Sequence, residues 1–476
     1  SADGGVVVVP EPPEALAEPC SVPTPPSSEL VLPRSSWRSS PIGRAETGAA
    51  MRLRSPIFVN WIEKVTVPRP SDCPTAPPSL VRSSSIRAAS RRNKPSSLPT
   101  YTSNVGGVRT TLSTVLIVSG VRRVGTGRVA LRTLGCKVNQ YDGEALLTLF
   151  RRRGYRVVGF DELADVYIIN TCTVTHEGDR KSRQLIRRAR RRNPDAVVVV
   201  AGCYAQVAAP EVARIPGVDV VLGTRDRERV VELAEAARGR RGAPLCAVGD
   251  VLRAPAFEEL TVDGLTGRTR AVVKVQEGCA DFCSYCIVPY ARGRPRSRRP
   301  EEARAEVERL AAAGYREVVL AGTHLGAYGR DLPPDAAGRR PGLADLLRAL
   351  HGVEGIIRLR LSSLEPMDVD DALLRAIAEL PKVCPHLHLP LQSGSDRVLA
   401  RMRRRYTADR FRRLVARARE LIPDLGLTTD VIAGFPGETE EDHQETLALL
   451  EEVGFHRVHV FPFSPRAGTP AARAAA

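Results

Sequence analysis

Three apolar runs in one part of the chain each end in a cysteine: VALRTLGC at 129–136, DVYIINTC at 165–172 and AVVVVAGC at 196–203. Amphipathic helical patterns at about 140–153 and 179–192 separate them. Alternating strand and helix predicts a small parallel sheet, in which successive strand ends emerge on one edge. Cys136, Cys172 and Cys203, remote in sequence, are therefore expected to meet there. A single buried cysteine is ordinarily a small hydrophobe. Three at equivalent places in successive units point instead to one shared site, and three thiolates can hold a cubane iron cluster with one iron left open.

A second set follows the apolar run 271–275. In EGCADFCSYCIVPYARGR, residues 277–294, Cys279, Cys283 and Cys286 are spaced C-x3-C-x2-C. This loop fits three ligands of another open cluster, or a zinc loop with a distant fourth ligand. Beyond it, strand-like runs at 317–322, 356–363, 386–391, 427–434 and 457–464 alternate with helical stretches at 300–313, 342–351, 369–380, 395–403, 407–421 and 438–453. With the strand ending near Gln276 these make six strand-then-helix units, and right-handed crossovers curl such units into an open, partial barrel of parallel strands. The fold class is α/β: a small parallel domain over 128–250, a linker at 251–268 within a stretch of weak pattern, and a partial (β/α)6 barrel over 269–476. Residues 1–127, rich in Pro, Ser and Arg, read as a disordered leader.

Chemistry in such barrels sits at the carboxyl ends of the strands. Gly322, Thr323 and His324 fall there, as do Ser362, Ser363, Glu365, Gln392, Ser393, Gly394 and Gly434. Glycines admit a ligand close to the backbone, and hydroxyl, amide or carboxylate groups bind an amino-acid head group or a ribose. Each also suits turn or capping chemistry. His386 and His388 alternate along their strand, so at most one is expected to face inward, and no metal site is expected of them.

The 476 residues carry a formal net charge of +16, which suits a nucleic-acid partner, although Arg and Ala are frequent throughout. The run KSRQLIRRARRR at 181–192 is either a phosphate-tracking face or a solvated helix surface. Of ten cysteines, six fall in the two sets; Cys20, Cys73, Cys246 and Cys384 are scattered, which is no disulfide framework and implies a reducing compartment. Cys246 reads as structural. No apolar run approaches membrane-spanning length, so no membrane partner is expected and the cytoplasm is.

The motifs TLGCKVNQYDGEAL, INTCTVTHEGDRKSRQ, AGCYAQ, EGCADFCSYCIVPYARGRPRSR, AGTHLGAYG, LSSLEP, HLPLQSGSDRVLARMRRRY, DVIAGFPGETEED and HVFPFSPRAGTPAAR together resemble the methylthiotransferases. These are radical S-adenosylmethionine (SAM) enzymes that carry two 4Fe-4S clusters. The resemblance spans about 129–476. It implies that Cys279, Cys283 and Cys286 bind the SAM cluster, with Tyr285 near the adenine, and that Cys136, Cys172 and Cys203 bind an auxiliary cluster. It further implies hydrogen abstraction from C2 of a modified adenosine at position 37 in the tRNA anticodon loop, sulfur insertion there and methylation by a second SAM. LGCKVNQ is similar to the branch acting on N6-threonylcarbamoyladenosine. The alternatives are the isopentenyladenosine branch, the branch modifying a ribosomal protein aspartate and, outside the family, a zinc-dependent RNA-binding protein. Members usually continue into a C-terminal RNA-binding β-barrel, which is expected to be absent from this chain. Electron donor and sulfur source are not written in these motifs.

Overall fold

The computed structural model describes residues 127–240, 242–263 and 267–474. The expected leader, except its last residue, lies outside them, and so do Cys20 and Cys73.

The first sheet comprises β1 (Arg128–Thr133), β2 (Arg156–Val158), β3 (Val166–Thr171), β4 (Val197–Gly202), β5 (Val220–Leu222) and β6 (Leu245–Ala247), in the order β2-β1-β3-β4-β5-β6. All neighbours pair in parallel. Every residue of β3 and β4 is buried, as parallel strands covered on both faces require. Three strands were expected here. The additional β2, β5 and β6 have three residues each, too few to carry a periodic signal.

Helices cover both faces of this sheet. One face is packed by α1 (Lys137–Arg152), the other by α2 (His176–Arg192), α3 (Cys203–Val207) and α4 (Ala209–Ala213), while α5 (Val230–Ala237) joins α1. Leu146, Phe150 and Leu233 meet Val129, Ile168 and Val199 on the first face; Ile186, Tyr204 and Val212 meet Ala130, Tyr167 and Val198 on the second. The Thr175 hydroxyl caps α2 by accepting from the Gly178 N–H at 3.2 Å.

The second body is built on β7 (Ala271–Glu277), β8 (Arg296–Ser297), β9 (Glu317–Gly322), β10 (Arg358–Leu361), β11 (His386–His388), β12 (Gly426–Ala433) and β13 (Arg457–Pro462). Strands β10-β9-β7 are parallel, β8 adds antiparallel to β7, and β11-β12-β13 are parallel. A parallel bridge between Leu359 and Val383, with Cys384 N donating to Leu359 O at 2.8 Å, joins the two sheets. Six parallel strands thus follow one another as β7-β9-β10-β11-β12-β13. Helices α6 (Val288–Arg292), α7 (Pro300–Ala312), α8 (Leu343–His351), α9 (Asp371–Glu379), α10 (Asp396–Arg401), α11 (Ala408–Leu421), α12 (Glu440–Val453) and α13 (Pro470–Ala474) complete it. Val273, Leu320, Leu359, Leu387 and Leu427 from the strands pack against Leu310, Leu347, Leu374, Phe411 and Leu449 from the helices. The α/β class and the partial barrel match the sequence expectation.

The reading of His386 and His388 was wrong. Residues two apart on a strand share a face, and with Leu387 in the helix-facing core both imidazoles lie on the opposite, inner side. His386 and His388 both reach the Thr428 hydroxyl, at 3.2 and 2.9 Å.

Sheet and barrel are joined by α1. Val138, Tyr141 and Ala145 on this helix pack against Val272, Val319 and Ala321 of β7 and β9, with Leu260 and Val262 from the intervening segment. Beneath them Tyr141 Oη lies 3.1 Å from both carboxylate oxygens of Glu306, which is also ion-paired with the buried Arg298. Breaking one partner of a buried pair costs about 3–5 kcal/mol, whereas replacing both with apolar groups is often neutral. Arg298→Met is therefore expected to lower the unfolding free energy by about that amount, and adding Glu306→Leu to restore only part of it, because Val262 N and Tyr141 Oη also bond Glu306. Anaerobic urea unfolding of the two variants measures the difference.

Candidate active site

Because β1, β3 and β4 are adjacent and parallel, the segments that follow them leave one edge of the sheet. Cys136 precedes α1, Cys172 follows β3 and Cys203 opens α3. Gly135 turns with φ +94°, and a Cβ there would stand 2.9 Å from the Cys172 sulfur. Gly202 has φ +93°, and its Cβ would meet Asn170 Oδ1 at 2.4 Å. Only glycine satisfies both demands at these two turns. Burial first, and then the neighbouring Cys203 and Cys136 sulfurs, push the Cys172 thiol up to about 12. Burial likewise raises Cys203, against the pull of Arg292. Cys136 is exposed.

Asn139 holds this edge together. Its side-chain amide donates to Leu134 O at 2.7 Å and to Thr171 O at 2.8 Å, and its backbone carbonyl accepts from Asn170 Nδ2 at 2.7 Å. The turns before Cys136 and Cys172 are thereby tied to one side chain.

The second loop leaves β7 through Gly278, whose φ is +84°. It closes on itself where Cys279 N donates to Gly293 O at 3.0 Å. His324 Nδ1 lies 3.4 Å from the Cys279 sulfur and 3.3 Å from Asp281 Oδ2, and its Nε2 is paired with Asp368. Burial opposes protonation of His324, but the bonds to Asp368 and Cys279 outweigh it and raise its pKa to about 9. Arg404 Nη1 is 3.4 Å from the Cys283 sulfur while Nη2 pairs with Glu365. Burial and the adjacent Cys283 sulfur push Cys286 up to about 12. A coordinating thiol must lose its proton, so metal uptake by either set releases protons and weakens as pH falls.

Tyr285 packs edge-on against Phe435, ring centroids 6.3 Å apart, and burial raises its phenol well above the usual range. Gly434, beside Phe435, has φ +73° with nothing within 4 Å of a Cβ position, so its backbone face is open. The structure thus gathers His324, Glu365, Tyr285 and the Gly434 turn around the loop. It does not bring in every expected residue. The Ser393 hydroxyl is used inside the fold by Thr446 at 3.3 Å and Ser395 N at 3.2 Å. Ser363 is exposed, while its neighbour Ser362 is buried with a hydroxyl that meets no partner among the described residues. Gly322 packs against Gln276, whose Oε1 accepts from His324 N at 2.7 Å, and Thr323 is half-buried between them. Gln392 takes φ +65° and spends its backbone on Asp430 and Ile432.

The two loops touch. Helices α3 and α6 pack together, and Arg292 at the end of α6 donates through Nε to the Cys203 sulfur at 3.2 Å. Neither Arg292 nor Arg404 was singled out from sequence; one arginine among 70 basic residues carries no signal of its own. The donor chemistry fits iron: each set offers three thiols, the number that holds a 4Fe-4S cluster with one iron open.

Residues 273–450 match the Radical SAM superfamily, and residues 128–223 match the Uncharacterized protein family UPF0004. The threonylcarbamoyladenosine tRNA methylthiotransferase MtaB of Bacillus subtilis (strain 168) is 49% identical over 346 residues, covering 72% of this chain and 75% of that protein. The chain belongs to the radical SAM methylthiotransferase family. The MtaB of Aquifex aeolicus (strain VF5) is 43% identical, covering 73% of this methylthiotransferase and 82% of its own length. The tRNA-2-methylthio-N(6)-dimethylallyladenosine synthase of Thermobifida fusca (strain YX) is 42% identical, with 72% and 68% covered. Among solved structures, the radical SAM methyltransferase TsrM of Kitasatospora setae, with cobalamin and a [4Fe-4S] cluster bound, superposes with a TM-score of 0.53 over 73% of this chain and 77% of that one. At 19% identity that likeness concerns the fold. SAM and 4Fe-4S clusters are the cofactors of this methylthiotransferase.

Gly135→Ala forces a side chain into the Cys172 sulfur at a positive φ. Anaerobically reconstituted Gly135→Ala protein is expected to hold about four irons fewer than the parent. An unchanged iron count would separate the Gly135 turn from cluster binding.

Proposed function

We propose that this protein methylthiolates C2 of N6-threonylcarbamoyladenosine at position 37, in the anticodon loop of tRNA, and works in the cytoplasm. The observation that carries the substrate is the 49% identity to an enzyme named for threonylcarbamoyladenosine tRNA, against 42% for one named for the dimethylallyl base. Among the described residues no helix is long and apolar enough to cross a membrane.

In this reading Cys279, Cys283 and Cys286 hold the SAM cluster, Cys136, Cys172 and Cys203 hold the auxiliary cluster, and 128–250 and 269–476 are the domains that present them. Bound SAM and the clusters supply reductive sulfonium cleavage, hydrogen-atom abstraction, and sulfur and methyl donation. The protein's own residues do the rest. His324, fixed from both ring nitrogens, keeps the Cys279 sulfur oriented and offers it positive charge. Arg404 does the same for Cys283 while Glu365 holds the guanidinium. Tyr285 and Phe435 form an aromatic wall against which an adenine can lie, and the open backbone at Gly434 lets it approach. The contact of α3 with α6 keeps the two thiol sets close enough to serve one base.

Cys283→Ala is expected to abolish SAM cleavage to 5'-deoxyadenosine, and Cys172→Ala to spare that cleavage but stop methylthiolation. Chromatography of 5'-deoxyadenosine released by the reduced, reconstituted variants reads the cleavage, and mass spectrometry of tRNA nucleosides from a deletion strain complemented with each variant reads the methylthiolation. Loss of methylthiolated dimethylallyladenosine in the deletion strain, with the threonylcarbamoyl product intact, would reassign the substrate. A reconstituted protein holding zinc and no iron would remove the radical reaction altogether.

A further inference from the structure

Arg292 lies six residues beyond Cys286 and is only 2% exposed. Each of its nitrogens is engaged. Nε donates to the Cys203 sulfur at 3.2 Å, Nη2 to Asn139 Oδ1 at 2.5 Å, and Nη1 to Glu277 Oε1 at 2.6 Å and to Asp142. Asn139 in turn grips the carbonyls of Leu134 and Thr171, which lie just ahead of Cys136 and Cys172. Glu277 stands two residues before Cys279. One guanidinium therefore touches one thiol of the first set, reaches the turns of the other two through one amide, and is anchored at the root of the second loop.

The ion pairs around Arg292 link Arg227, Lys274, Arg292 and Arg296 to Asp142, Glu258 and Glu277, and Glu258 is hydrogen-bonded to a further carboxyl, Glu228. Arg292 is the member of the cluster that reaches a sulfur.

We propose that Arg292 is a positioning residue of the auxiliary centre: its guanidinium donates to the Cys203 thiolate, raises the reduction potential of the cluster held there, and keeps that centre in register with the SAM loop. This rests on the reading that Cys136, Cys172 and Cys203 hold an iron-sulfur cluster. A cluster gains one negative charge when it takes up an electron. A fixed cation hydrogen-bonded to one of its sulfurs stabilises that state more than the oxidised one, so the potential rises. Lysine keeps the charge but loses the planar fork that reaches sulfur, amide and carboxylate at once.

The test uses the full chain carrying Cys279→Ala, Cys283→Ala and Cys286→Ala, which leaves one thiol set of the two, reconstituted anaerobically. Iron content and the midpoint potential, read by electron paramagnetic resonance during a redox titration, are compared for this parent and for the same protein with Arg292→Gln or Arg292→Lys. The expected result is a lower midpoint for Arg292→Gln at unchanged iron content, with Arg292→Lys in between. If Arg292→Gln fails to load, a lowered midpoint in a loaded Arg292→Lys supports the proposal equally. An unchanged midpoint in loaded Arg292→Gln overturns it. So does failure of both variants to load, because Arg292 would then serve only to build the site. A parent that binds zinc and no iron overturns the cluster reading itself, a result distinct from iron-loaded variants of equal potential.

Discussion

Charge buried where the sheet meets the barrel is the constraint on which the rest of the structure depends. Asp142 on α1, Arg227 after β5, Lys274 and Glu277 on β7 and Arg292 on α6 have side chains no more than 3% exposed, and they contact one another across that junction. Each ion loses several kcal/mol of hydration on burial and recovers it only while its partners keep their geometry. Apolar packing around Val138, Tyr141 and Ala145 would tolerate a small slide of one body on the other. The ion cluster does not. It therefore fixes the distance between thiols that belong to different layers of the fold.

The two thiol sets are built alike. In each set a strand runs into a turn, and a glycine with positive φ at 135, 202 or 278 redirects the chain directly before Cys136, Cys203 or Cys279. A basic side chain from elsewhere then approaches the sulfur: Arg292 at Cys203, Arg404 at Cys283 and His324 at Cys279. Burial raises the Cys203 and Cys283 thiols, and Arg292 and Arg404 act in the opposite sense, towards the thiolate that a metal requires.

Chain beyond β13 ties the same region from the other side. Arg466, buried, donates to Thr173 Oγ1 at 2.7 Å and pairs with Asp179 on α2, and Ser464 accepts from His176 N at 3.0 Å. Further on, Ala471 N donates to Ser284 O at 2.8 Å. A single segment thus contacts the residue after Cys172 and the residue after Cys283. The loops are held from beneath by the ion cluster and across the top by this strap.

Much of this was legible in the residues themselves. Parallel strands buried on both faces read as apolar runs, so β3, β4 and β9 announce themselves, and cysteines placed directly after strands share an edge in any parallel sheet. The shared face of His386 and His388 follows from the strand period. What sequence could not carry were the three-residue strands β2, β5 and β6 and the antiparallel β8. Nor could it tell Arg292, Arg404 and Asp142 from the many charged residues on the surface. Local pattern determines which segments become strands and where their thiols emerge, because period and burial act over a few neighbouring residues. Which charge meets which sulfur was decided by tertiary structure alone, because a buried ion's partners come from segments up to 287 residues away and are chosen by the cost of leaving water.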